Sequence, residues 1–301
     1  MTTTPVLDAR PDPSSGNGLR FTLRNRRTTL DLFLTGMAIV LSVVALLPLL
    51  SVLYMLLARG AGLLSVDLFT ELTPGGGMDG GGIGNAIVGT VVVVLIATAL
   101  ALPLGFLAAV YLAEYGGDSK VAVCVRFAGK VLTGMPSILA GVFAYALVVV
   151  TTGSFSALAG GVAMALLMVP IVMLTAEQAL KMVPERMKLA AIGMGATRAQ
   201  TVLRVVIPTA MPGILTGVML ALARAMGETA PLLFTALFSD YWFEGELGEP
   251  IASLAVLIYN FSGSPFENQI QLAWAASLVL VSLVLVLNVV AQVLTRRSEE
   301  H

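Results

Sequence analysis

Charged side chains fall in clusters along this chain, and between the clusters lie long stretches with few or none. Residues 32–58 carry no charge between Asp31 and Arg59, and residues 80–113 carry none between Asp79 and Glu114. A third charge-free run covers 131–176, and a fifth covers 268–295. The fourth, 205–239, is interrupted only by Arg224 and Glu228. A helix needs about 20 apolar residues to cross a bilayer, so the third run is long enough for two. Thr151-Thr152-Gly153-Ser154 is the natural break in it. The pattern predicts an all-α, polytopic membrane protein with six transmembrane helices. They are expected at about 30–57, 83–112, 131–151, 156–176, 212–237 and 271–295. A Thr-, Pro-, Ser- and Gly-rich tail occupies 1–28, the membrane domain 29–297, and a short tail 298–301.

Composition narrows the class. Hydrophobic residues make up 57% of the chain and charged ones 12%, against about 25% charged in soluble domains. A soluble enzyme, a nucleic-acid binder and a disordered chain are excluded together. A single cysteine, Cys124, and a single histidine, the terminal His301, leave no disulfide, cysteine–histidine metal site or histidine catalysis to expect. No residue is expected to be catalytic. Net charge is -1, so placement matters more than balance. With the N-terminus inside, 15 of the 17 basic residues fall in inner segments, leaving Arg59 outside and Arg224 within a span. The positive-inside rule then puts both termini in the cytoplasm. The acidic outer loops, with Asp67, Glu71, Asp79, Asp240, Glu244, Glu246, Glu249 and Glu267, are read as solvation.

The cytoplasmic loop 177–211 is basic and helix-forming. Pro184 suits a first helical position, and the run Glu185 to Met194 follows, stopped by Gly195. Thr197 can cap a second helix, Arg198 to Ile207, that Pro208 ends. Taken alone, such an element either lies on the headgroups or protrudes for a partner to grip.

The segment LAAIGMGATRAQTVLRVVIP, Leu189 to Pro208, resembles the EAA loop of ABC-importer permeases. That pattern is Glu-Ala-Ala, three residues, Gly, nine residues, then Ile-x-Leu-Pro. Ala190, Ala191, Gly195 and Pro208 match at the same spacing, with Leu189 in place of the usual Glu. GGIGNAIVGT (Gly81 to Thr90), GMPSILAGVFAYALV (Gly134 to Val148) and the stretch from Val183 to Ala236, with ARAMGETAPLL its most specific part, are similar to the A-type permeases of phosphate-specific transport (Pst) importers. The resemblance covers roughly 80–240. It implies a type I ABC importer permease fold, with inorganic phosphate as substrate, in the cytoplasmic (inner) membrane of a prokaryote. It further implies a heterodimer with a C-type permease, two ATPase subunits and an extracytoplasmic phosphate-binding protein. Lys188, Leu189, Ala190, Ala191, Gly193 and Gly195 would couple the chain to the ATPases. Lipid surrounds the chain and no nucleic acid is expected. Gly129-Lys130 has Cys124 where a P-loop needs its first Gly, so there is no Walker motif. The chain is expected to hold no cofactor, with ATP and Mg on the partner ATPases.

Arg224 and Glu228 are the only charges well inside an expected span. An Arg at the centre of a bilayer costs about 2.5–3.5 kcal/mol on the insertion scale, so it faces a bundle interior, a cavity or a partner. At i, i+4 on a helix the two share one face. One reading is a buried ion pair that fixes helix packing. The other is a contact for a translocating oxyanion, whose oxygens match the guanidinium fork, with Glu228 holding Arg224 and limiting its attraction. The resemblance favours the second, because Pst permeases carry this Arg and Glu in the same motif. Thr229, Thr133 and Ser137 are weaker candidates for the same path. Two alternatives stand beside phosphate: a permease for sulfate, molybdate or phosphonate, and an ion-coupled secondary transporter. The latter needs intramembrane carboxylates or repeats, and only Glu228 is available.

Overall fold

The computed structural model describes residues 26–299, so residues 1–25 and 300–301 of the expected tails lie outside the described residues. All regular structure among the described residues is helical. Eleven helices can be named in chain order. They are α1 Arg26–Gly60, α2 Val66–Thr70, α3 Gly84–Tyr115, α4 Lys120–Thr133, α5 Ser137–Thr152, α6 Ala157–Lys181, α7 Glu185–Gly193, α8 Arg198–Met226, α9 Ala230–Leu233, α10 Leu254–Ser262 and α11 Glu267–Glu299. Five of them, α1, α3, α6, α8 and α11, are long and apolar enough to cross a bilayer, and α4 with α5 forms a bent pair that passes the same test. The fold is an all-α polytopic membrane fold. α1 as far as Tyr54 forms one unit, and Met55 onward forms another.

The second unit is built around α6. Its first half reads Ala-Leu-Ala-Gly-Gly-Val-Ala, and Ala157, Ala159, Gly160, Gly161 and Ala163 are buried. Small side chains let helix backbones meet closely, and such contact replaces the hydrophobic effect as the driving force between helices in lipid. α3 lies against one flank, with Ile96 over Gly161 and Val172 against Gly105. α8 lies against another, antiparallel, with Gly213 on Ala179 and Gly217 on Thr175. Together these helices enclose the main core, including Val93, Ala97, Met164, Met168, Ile214, Val218 and Ala221. A smaller core joins α10 and α11 to the start of α3 through Ala86, Leu254, Leu257, Leu272 and Ala276.

Two sequence expectations are corrected. The segment 131–151 is not one continuous helix. Residues 120–133 form their own helix, capped by Ser119, whose hydroxyl accepts from the Ala122 N–H, and the chain turns through 106° before α5. Pro136 causes the turn, because its ring keeps the preceding residue out of helical geometry. The expected helix stop at Pro208 and span at 212–237 are replaced by one continuous helix, α8. A π turn at Val202–Val206, with the Ile207 N–H bonded to the Val202 carbonyl, widens the ladder just before Pro208. That relieves the clash between a proline ring and the carbonyl four residues back. The loop 177–211 therefore shrinks to 182–197. The loop between α8 and α11 also contains α10, whose first turn is buried. The Leu254 N–H donates to Thr90 Oγ1, and the Ala252 carbonyl lies against Gly89.

The α6–α8 crossing leaves no room for growth, since a Cβ on Gly217 would lie 2.1 Å from Thr175 Oγ1. Gly217→Leu is expected to destabilise the bundle by about 1–3 kcal/mol or more. Gly263→Ala, where a Cβ meets nothing within 4 Å, should be near neutral. Thermal unfolding of the two purified variants in detergent checks this, and equal melting temperatures would refute close packing at the crossing.

Candidate functional site

Register places the embedded charges in depth. Continuing the antiparallel match of Gly213 with Ala179 and Gly217 with Thr175 brings Arg224 level with Met168, near the middle of α6. That is about 17–20 Å from either end of α6 at 1.5 Å rise per residue. α8 ends there at Met226, capped by Gly227. The sequence expectation that Arg224 and Glu228 share one helix is thus altered: Arg224 lies in the last turn, and Glu228 in the non-helical step before α9. Arg224 Nε still reaches Glu228 Oε1, at 3.4 Å. The Arg224 side chain is 44% exposed and that of Glu228 19%, so within this chain the pair is open on one side. The pair is thus not buried within this chain itself, which leaves a face for a cavity or a partner. A cation also suits a helix C-terminus, where free carbonyls gather negative potential.

The backbone beyond the break is held firmly. Thr229 accepts from the N–H groups of Leu232 and Leu233 through its carbonyl, and its side chain is half-buried. Pro231 sits on Gly141 of α5, and Leu232 and Ala236 sit on Gly160 of α6. The Ser156 N–H donates to the Thr235 carbonyl, and the Ile251 N–H to that of Ala236. Leu237 takes φ 59, uncommon for a branched residue. Non-helical backbone at membrane depth survives only when protein covers it or water reaches it, and here α5 and α6 cover one side. Thr133 donates to the Gly129 carbonyl, as hydroxyls in spans commonly do.

The second group of expected site residues surrounds α7. Glu185–Gly193 forms a short helix, and Gly195 turns the chain with φ +89. Thr197 and Gln200 form a capping box that starts α8. Leu189, Ala190, Gly193 and Gly195 are exposed, with Ile192 and Met194 beside them, and nothing lies within 4 Å of a Cβ on either glycine. Two of the six expected coupling residues point the other way. Ala191 is buried, and Lys188 Nζ lies 2.6 Å from Glu114 Oε1 at the end of α3.

Glu114 belongs to a charged cluster not singled out in the sequence. Arg198 donates to the Glu114 carbonyl and stacks over Tyr115, 5.0 Å from the ring centroid. Arg126 of α4 donates to Glu177 Oε1 at 2.6 Å and to the carbonyls of Leu112 and Gly117. Lys181 Nζ also lies 2.6 Å from Glu177 Oε1, and the Glu177 side chain is only 2% exposed. The signal was available, since Glu114 and Glu177 are the charges that close the second and third apolar runs. They served as boundaries when they were partners.

The family model of the binding-protein-dependent transport system inner membrane component matches residues 101–300, which include α7, the Arg224–Glu228 break and most of the bundle. The chain belongs to that family of permease subunits. Among its relatives, the phosphate transport system permease protein PstA of Yersinia pestis is 42% identical over 248 residues, covering 82% of this chain and 84% of that protein. PstA of Haemophilus influenzae is 40% identical over 275 residues, covering 91% and 96%. The fold is shared with the MetNI methionine ABC transporter in inward-facing conformations, at a TM-score of 0.54 and 22% identity over 72% of this chain and 94% of that one. Permeases of this family are ordinarily non-catalytic subunits of ABC transporters.

Removing a buried carboxylate that two cations share should cost more than removing one exposed cation. Glu177→Gln is expected to destabilise the chain by about 3 kcal/mol and Lys181→Gln by about 0–1 kcal/mol. Melting temperatures of the two variants should fall in that order, and the reverse order would show that Glu177 is not the centre of the cluster.

Proposed function

We propose that this chain is the membrane permease subunit of an ATP-driven importer that moves inorganic phosphate across the cytoplasmic membrane of a prokaryote. It pairs with a homologous C-type permease, rests on two ATPase subunits that bind ATP and Mg, and takes phosphate from an extracytoplasmic binding protein. Both termini and α7 face the cytoplasm. The observation that carries this reading is Arg224, level with the middle of α6 and with its side chain 44% exposed, in a chain similar to phosphate permeases over most of its length.

The mechanism follows from that geometry. An oxyanion crossing hydrocarbon must replace its hydration shell, and guanidinium offers planar donors matched to phosphate oxygens. Too strong a site would trap the anion. Glu228 lies near enough to hold the fork in place and offset part of its charge. Arg224→Gln should therefore abolish phosphate uptake by the reconstituted complex without preventing assembly. Arg224→Lys keeps charge but loses the fork, and should retain partial uptake at best. Glu228→Gln should reduce uptake less than loss of the Arg. Normal transport by an assembled Arg224→Gln complex would remove Arg224 from the path.

Gly195 tests the coupling role of α7. Its φ of +89 costs a side-chain-bearing residue about 1 kcal/mol or more. Gly195→Val should leave insertion intact and lower phosphate uptake by weakening ATPase docking or coupling. Normal uptake with normally stimulated ATP hydrolysis would count against that role.

Orientation is tested separately. In a Cys124→Ser background, Ser262→Cys should react with an impermeant thiol reagent from outside and Gln200→Cys should not. Both sites are exposed. Labelling of both from one side, or the reverse pattern, would overturn the topology.

A further inference from the structure

The coupling segment is held at three places. α7 joins α6 covalently through Met182–Pro184 and joins α8 through the turn at Gly195. The third hold is on α3. Lys188, in α7, and Arg198, the first residue of α8, flank the turn on its two sides, and both reach the same point. Lys188 Nζ meets the Glu114 carboxylate at 2.6 Å, and Arg198 donates to the Glu114 carbonyl while covering the Tyr115 ring. The ion pair is well shielded, with side-chain exposures of 15% for Lys188 and 8% for Glu114. Glu185 is a poor competitor, 3.9 Å from Lys188 and open to solvent. Glu114 itself lies in a π turn at the end of α3, Tyr111–Tyr115.

We propose that Glu114 is a positioning residue for coupling: its ion pair with Lys188 ties α7 to the foot of α3, so that displacement of α7 moves α3 as well as α6 and α8. This rests on the permease reading above. The pair suits the task because it is short and shielded, so it holds at ionic strengths that screen exposed pairs. α3 then carries the movement inward. It contacts α6 along its length, through Ile96 on Gly161 and Gly105 on Val172, and those contacts bracket Met168, the level of Arg224. Covalent linkage alone would move the two helices that flank α7. The Glu114 link adds the third wall of the core.

The experiment compares transport with ATP hydrolysis in the same proteoliposomes, containing the complete complex and offered radiolabelled inorganic phosphate. The wild-type complex is measured first, and failure to take up phosphate there counts against the functional reading, whatever the link does. In Glu114→Gln complexes the ratio of phosphate moved to ATP hydrolysed is expected to fall by about tenfold, with assembly retained. The exchange Glu114→Lys with Lys188→Glu rebuilds the pair with reversed charges, and should recover at least half of the wild-type ratio. A wild-type ratio in assembled Glu114→Gln complexes overturns the proposal. So does an exchange variant that assembles but stays as uncoupled as the single one. Loss of assembly in both variants overturns it too, by making the pair an element of folding rather than of coupling.

Discussion

Lipid tails are as apolar as leucine, so helices inside a bilayer gain little by hiding apolar surface from water and must associate by close contact instead. That constraint decides the centre of this molecule. α6 offers Ala157, Ala159, Gly160, Gly161 and Ala163 where a soluble core helix would carry larger side chains. α3 and α8 approach it at Gly105, Gly213 and Gly217. Each glycine is fixed by what faces it rather than by its backbone angles. The bundle is consequently intolerant of volume at its axis, and its spans keep a fixed register with one another.

Fixed register is what makes a charge at mid-depth sustainable. α8 stops at Met226, level with the middle of α6, and the chain continues without regular helix from Gly227 to Thr229. Free backbone groups at such depth need cover. Pro231 on Gly141 and Ala236 on Gly160 supply it on one side. The opposite side holds the Arg224–Glu228 pair, open within this chain. A rigid wall behind and a charged opening in front suit the anion path proposed above. A guanidinium on a loose loop would instead follow the anion and bind it.

Much of this was legible from the spacing of charges, because spans in lipid must be long, apolar and free of charge. The apolar runs located the helices that became α1, α3, α6 and α11, and the Gly195 turn and Thr197 cap followed from local chemistry alone. Pro208 misled for a physical reason. Proline stops helices by clashing with the carbonyl four residues earlier, and the π turn at Val202–Val206 removes that clash without leaving a composition signal. α10 was missed because a helix of nine residues is too short to register as a span, and its burial depends on Thr90 and Gly89 of a distant helix. Lys188 was assigned to the right segment but the wrong side of it, since its partner Glu114 is 74 residues away.

The charged cluster and the midplane pair obey opposite rules, and the contrast separates structure from function. Glu177 is almost wholly buried and shared by Arg126 and Lys181 at 2.6 Å each. Arg126 also caps the end of α3 through the Leu112 and Gly117 carbonyls. All three nitrogens of the Arg126 guanidinium have partners within the chain, which is how a permanent joint is built. Among the described residues Arg224 has one partner, at 3.4 Å, and much of its fork is left without one. Donors left in that condition at membrane depth must be met by water, by another subunit or by a passing anion. On the proposed reading, the joint transmits force because the Arg126 fork is fully engaged, and the Arg224 pair receives an anion because its fork is not.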